Sequence, residues 1–143
     1  EMQRSLVGSE MCIRDSNRPM GLIPGEDKIE FEANPKLIKL AEKSAIKVLG
    51  KDKVKIGRIA TGDQFIADKN KVQFLGKEFQ ADAVEMEGAS VAQVAQIYGV
   101  PFVVLRAISD KADGGAEMVY DEFVQVAANN SAEIVKEMLK NME

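Results

Sequence analysis

Residues 81–105, ADAVEMEGASVAQVAQIYGVPFVVL, read as a strand, a helix and a second strand. Ala81 to Met86 has the length and composition of a strand. Gly88 to Tyr98 is rich in small apolar residues at helical spacing and is stopped by Gly99. Pro101 to Leu105 is an unbroken apolar run bounded by turn signals, the pattern of a strand buried on both faces. Two strands joined by a helical crossover lie parallel in one sheet, with the helix packed on a face of it.

Working outward from this unit extends the alternation. Upstream, Asn34 and Pro35 make a helix start. Leu37, Leu40, Ala41, Ala45 and Val48 supply its apolar face and Gly50 its stop. Val54 to Ala60 reads as a strand ending in the turn Thr61-Gly62-Asp63, and Asn70 to Phe79 as a short helix. Downstream, 109–119 is a loop holding Asp110, Asp113 and Gly114-Gly115. Tyr120 to Met142 is a long helix, with Phe123, Val124, Ala127, Ile134, Val135 and Leu139 toward the core and Asn129 and Asn130 weakening its middle. The order α-β-(α)-β-α-β-α predicts an α/β fold, a three-layer αβα sandwich around a mostly parallel, mixed sheet. Residues 17–31 read as loop, broken by Pro19, Gly21, Pro24 and Gly25.

Residues 1–16, EMQRSLVGSEMCIRDS, show neither strand nor helix period and have no apolar core of a signal peptide. The string resembles translated sequencing adapter. It is set aside as non-native or disordered, leaving 17–143 as part of a single domain.

A chain of 143 residues is long enough for one core. A net charge of -4 argues against a nucleic-acid partner, which calls for a basic face. No apolar stretch approaches the ~20 residues of a membrane helix. The lone Cys12 allows no intrachain disulfide, so the expected setting is cytoplasmic. The absence of histidine removes Ser-His-Asp and Cys-His catalysis and nearly all zinc chemistry from this chain. Acid–base work then falls to carboxylates, lysine or tyrosine. A small molecule or another protein is the expected partner, with no metal or cofactor.

Ligands on parallel sheets sit beyond the carboxyl ends of the strands. Three polar clusters meet there: Thr61-Gly62-Asp63-Gln64-Phe65, Glu85-Met86-Glu87-Gly88 and Arg106-Ala107-Ile108-Ser109-Asp110. Each has a plain structural alternative. A carboxylate at Glu85 or Glu87 also favours a helix N-terminus. Asp63 and Asp110 suit turns or caps, and Phe65 and Met86 suit a core. Arg106 pairs with Glu85 or Glu87 to tune the site, or forms a structural buried ion pair.

ATGDQFI (60–66), AVEMEG (83–88), VPFVVLRAISDKAD (100–113) and YDEF (120–123) closely resemble, in spacing also, the 5′-methylthioadenosine/S-adenosylhomocysteine nucleosidases. The resemblance covers 17–143 and implies a nucleoside phosphorylase-like fold of which this chain is the C-terminal portion. It implies that Asp110 is the acid protonating purine N7, steadied by Ser109, with Arg106 in the catalytic group. Glu87 would hold the ribose hydroxyls, with Glu85 beside it, and Met86 would pack beneath the sugar. Phe65 would stack on adenine and Ile66 read its edge. Tyr120 would lie near the 5′ substituent, and Pro24 would reach into the neighbouring site of a homodimer.

The chemistry is coherent. Adenine leaves once a ring nitrogen is protonated, which needs a carboxylic acid of raised pKa. A nearby carboxylate then favours the oxocarbenium-like C1′. The family's Glu-rich water-activating motif and Gly-rich turn are not found among these residues, so the chain by itself is expected to be inactive or nearly so. Other readings are a phosphorylase of the same superfamily, a futalosine- or AMP-hydrolysing relative, and a non-catalytic nucleoside-binding homologue.

Overall fold

The computed structural model describes residues 4–7, 21–22, 29–66, 68–108 and 120–142. Four strands form one mixed sheet: β1 (Arg4–Val7), β2 (Glu30–Glu32), β3 (Ile59–Thr61) and β4 (Ala83–Glu85), in the order β2-β1-β3-β4. β1 and β4 both run parallel to β3, with Leu6 opposite Ala60 and Ala60 opposite Val84; β2 is antiparallel to β1. The helices are α1 (Pro35–Leu49), α2 (Lys69–Glu78), α3 (Gly88–Ile97) and α4 (Tyr120–Lys140).

α1 begins as its sequence requires. The Asn34 carboxamide oxygen accepts from Lys36 N at 3.0 Å and Leu37 N at 3.2 Å, and Pro35 takes the first turn, where no intrahelical donor is needed. Gly50, at φ +88°, ends it in a backbone region that disfavours side chains. Its buried face runs through Ile38, Ala41, Ser44 and Ala45.

Side-chain alternation places helices on both faces of the sheet. Ile59 lines a cavity shared with Ile38, Ala45 and Ile134 of α1 and α4, whereas Ala60 packs with Phe79 and Leu75 at the end of α2. Ala41 and Ala45 of α1 meet Ile134 and Met138 of α4, and Lys47 and Glu137 join across the same pair at 2.5 Å. α3 lays Ala89 and Ala92 against Phe31 of β2 and Phe102. The small side chains of α3 permit this close approach to the sheet.

Several expectations are corrected. Arg4–Val7, in a stretch that shows no strand period in the sequence, forms a strand paired on both edges. Glu30–Glu32, within and just beyond the expected loop, pairs with it. Its residues follow the period of a strand, Phe31 buried and Glu32 exposed, over a span too short to stand out from its charged flanks. The strand expected at 54–60 is confined to Ile59–Thr61 because Asp82 intercepts the ladder. Its carboxylate accepts from Arg58 N at 3.0 Å, while Arg58 O accepts from Asp82 N at 2.7 Å.

Among the described residues the run 101–105 joins no ladder, and it is not buried on both faces, since Pro101 and Leu105 are exposed. It keeps the alternation of a strand: Phe102 packs beside α3 and Val103 beside α1 and α4, with Phe102 O held by Asn34 N at 2.8 Å. In α4 the inward stripe is Ile134 and Met138, with Ala127 half-buried. Val124, Val135 and Leu139, expected inward, are exposed, and Phe123 lies outside the residues whose side chains are described.

Candidate functional site

The parallel pairing of β3 and β4 brings their carboxyl ends side by side. Thr61 is opposite Glu85, and Gly62 N donates to Glu85 O at 3.0 Å. The first two polar clusters are thereby adjacent, and the third is tied to them through one ion pair.

At the end of β4 the two glutamates are in contrasting environments. Glu85 is 7% exposed. One carboxylate oxygen accepts from Glu87 N at 3.0 Å and from Gly88 N at 2.7 Å, and the other accepts the Thr61 hydroxyl proton. The Thr61 oxygen accepts in turn from Ala89 N at 3.0 Å. Three amides at the start of α3, which have no partner inside the helix, are thus satisfied by two side chains from two strands. A Cβ on Gly88 would stand 3.0 Å from the Glu85 carboxylate, so a side chain there would press that carboxylate out of place by a few tenths of an ångström.

Glu87 points the other way. Its side chain makes no cap on the helix it precedes, is 64% exposed, and meets Arg106 Nη2 at 3.0 Å. Of the two partners open to Arg106, the structure pairs it with Glu87, in an accessible ion pair and not a buried one. Met86, between the two glutamates, is 44% exposed. The plain helix-end alternative therefore describes Glu85, while Glu87 is free of that task and presented to solvent.

Beyond β3, Phe65 is 80% exposed and Ile66 half-buried. Their loop is closed by Lys71 of α2, which donates to Gln64 Oε1 at 2.5 Å. Asp68 caps the helix by accepting from Lys71 N at 2.9 Å. An 80% exposed phenylalanine is not core packing; with Met86 it leaves apolar surface beyond the carboxyl ends of β3 and β4, where parallel sheets in general take their ligands.

Tyr120 is the first residue of α4. Pro24, Ser109 and Asp110 lie outside the described residues. Among those described, no group of three or more His, Cys, Asp or Glu side chains is placed to hold a metal, and no helix is long and apolar enough to cross a membrane.

Sequence reasoning missed Thr61, read as a turn residue. The available signal was a hydroxyl one residue from the end of a strand, in register with a carboxylate on its parallel neighbour. It also missed Asp82, which accepts from Lys55 Nζ at 2.5 Å as well as from Arg58 N. The Lys55 hydrogen bond, followed by that of Arg58 N–H, holds the Asp82 carboxyl below its ordinary value. A Cβ on Gly57 would collide with the same carboxylate, so a side chain there would push Asp82 out of these bonds. Arg58 reaches Phe79 O at 2.7 Å and Glu30 at 3.3 Å, joining β2, β3 and the end of α2 beneath the site.

A cavity of about 380 Å³ opens between α1, α4 and the segments 53–59 and 104–108. It touches Arg106 and Ile108, but Phe65, Glu85, Met86 and Glu87 are not in its lining. Phe65, Glu85, Met86 and Glu87 gather instead at the carboxyl ends of β3 and β4.

The phosphorylase superfamily matches residues 3–140. The chain is 44% identical over 137 residues to an aminodeoxyfutalosine nucleosidase of Helicobacter pylori, covering 96% of this chain and 58% of that protein. It is 43% identical over 130 residues to a 5′-methylthioadenosine/S-adenosylhomocysteine nucleosidase of Bacillus pumilus, covering 89% and 54%. The crystal structure of a Campylobacter jejuni nucleosidase of the latter name superposes with a TM-score of 0.80 at 38% identity, over 99% of this chain and 62% of that one. The chain thus spans between half and two thirds of the length of these relatives.

Proposed function

The chain belongs to the phosphorylase superfamily, and we propose on that premise that its site serves hydrolysis of the N-glycosidic bond of 5′-methylthioadenosine and S-adenosylhomocysteine. The products are adenine and the 5′-thioribose, a step of methionine salvage, in a cytoplasmic homodimer. The observation that carries the reading is the division of labour at the end of β4: Glu85 is spent inside the protein, whereas Glu87 is exposed and held by Arg106 at 3.0 Å. A carboxylate so presented accepts hydrogen bonds from ribose hydroxyls and favours positive charge at C1′. Phe65 and Met86 offer the apolar surfaces that a purine and a sugar face need.

In this mechanism Asp110, steadied by Ser109, gives a proton to N7 as the bond from C1′ to N9 breaks and adenine takes the bonding electrons. Water adds its oxygen to C1′ and gives up a proton, which restores the acid. Proton donation by a positioned group contributes typically ~10²–10⁴ in rate. Ile66 reads the adenine edge, Tyr120 flanks the 5′ substituent, and Pro24 belongs to the loop reaching the neighbouring subunit. The Glu-rich motif that activates water in the family is not found among these 143 residues, so water adds without that positioned base and turnover is slow.

Aminodeoxyfutalosine is the second substrate to consider, because the relatives bearing the two names are equally similar, at 44% and 43% identity. The test is a single-turnover incubation with protein in excess over each nucleoside, following free base and sugar. Slow release of adenine, independent of phosphate and lost in Asp110→Asn, is expected. A sugar 1-phosphate would identify a phosphorylase. Saturable binding with no base released would identify a non-catalytic homologue.

A further inference from the structure

Thr61 and Glu85 lie one behind each of the two segments assigned to substrate, and neither faces the solvent: Thr61 is 7% exposed and Glu85 7%. Between them they make four hydrogen bonds. The Thr61 hydroxyl donates to Glu85 and accepts from Ala89 N at 3.0 Å, and the carboxylate also takes Glu87 N at 3.0 Å and Gly88 N at 2.7 Å. The turn 85–89, which carries Met86 and Glu87, is therefore pinned to β3 by side chains, in addition to the main-chain bond from Gly62 N to Glu85 O. Among the described residues the Glu87 carboxylate is oriented by an exposed pair with Arg106, and exposed pairs fix geometry weakly. Its direction depends on the backbone beneath it.

We propose that the Thr61–Glu85 pair is the positioning device of the sugar subsite: it sets the Glu87 and Met86 backbone against the base-stacking segment that continues from Thr61. The proposal rests on the nucleoside reading above and adds to it. Neither residue touches substrate; both act through the amides of 87–89. A threonine-to-valine change keeps the shape and the β3 ladder, so it leaves the main-chain attachment of the base segment in place. It removes both the hydroxyl proton given to Glu85 and the oxygen offered to Ala89 N, and leaves those buried groups unpaired.

The test is calorimetric titration of the full 143-residue chain with two probes, 5′-methylthioadenosine and adenine, which lacks the sugar. Thr61→Val is expected to weaken the nucleoside by ~10-fold while adenine changes by less than ~2-fold, as loss of a hydrogen bond to a charged group predicts. Thr61→Ser restores both hydrogen bonds and is expected to return nucleoside affinity to within ~2-fold of the parent chain. Equal weakening of both probes in Thr61→Val, or no rescue by serine, overturns the proposal and leaves the nucleoside reading standing. Failure of the parent chain to bind either probe overturns both. Should Thr61→Val not fold by circular dichroism, Glu85→Gln serves in its place. It keeps an oxygen for the Gly88 amide but loses the charge, and the same sugar-specific loss is expected.

Discussion

Asp82 shows how much of this molecule hangs on single polar side chains. Its carboxylate ends the β3 ladder early by taking Arg58 N–H, and it binds Lys55 at 2.5 Å. These two donors, Lys55 first, hold its carboxyl below the ordinary value of 3.8. A carboxyl depressed in the folded state contributes stability that is present above its unfolded pKa and lost as pH falls through the folded one. Asp82→Asn is therefore expected to lower the melting temperature at pH 6, with the gap to the parent closing as pH drops below 3.8. A gap independent of pH would show that the carboxylate's charge contributes nothing. Asp82 was not legible in the sequence, and Thr61 only as a member of a polar cluster at a strand end, because each works through a strand distant along the chain and no periodicity marks that. Glu85 and Glu87 were legible as a pair but not as opposites; only the burial of one and the exposure of the other separates them.

Among the elements, α1 was read correctly from local chemistry alone: an asparagine cap, a proline in the first turn and a glycine stop all act within a few residues. α4 was not. Its sequence carries two apolar stripes, and the choice between them depends on α1, which offers Ala41 and Ala45 as a shallow seat for Ile134 and Met138. Met138→Ala is expected to cost ~2–4 kcal/mol in urea unfolding, as large-to-small changes in packed cores do. Leu139→Ala, at a position 63% exposed, is expected to stay within ~0.5 kcal/mol. The reverse order would put the Leu139 stripe in the core. The run 101–105 failed as a strand for a related reason. Apolar alternation shows that a segment passes between two layers, which it does, but a ladder needs a neighbour in register, and that is not written in its own residues.

At the scale of the molecule, the α/β class and the gathering of polar clusters at one sheet edge follow from the alternation of elements. Parallel strands must end on the same side, and β3 and β4 do so with Thr61 opposite Glu85. The mixed character of the sheet rests on β1 and β2, which the sequence did not reveal: one was set aside, the other hidden in an expected loop. The family was read from motifs, and the phosphorylase superfamily match over residues 3–140 agrees with that reading. The central claim is that the edge carrying Phe65, Met86 and Glu87 binds a nucleoside through its sugar as well as its base. It is tested most directly by titrating 5′-methylthioadenosine into the chain and into Glu87→Ala, with melting curves on both. The account predicts saturable binding weakened by ~10-fold or more in Glu87→Ala, as for a hydrogen bond to an ionised group, at an unchanged melting temperature. Equal affinity in the two proteins, or no binding in the parent chain, would contradict it.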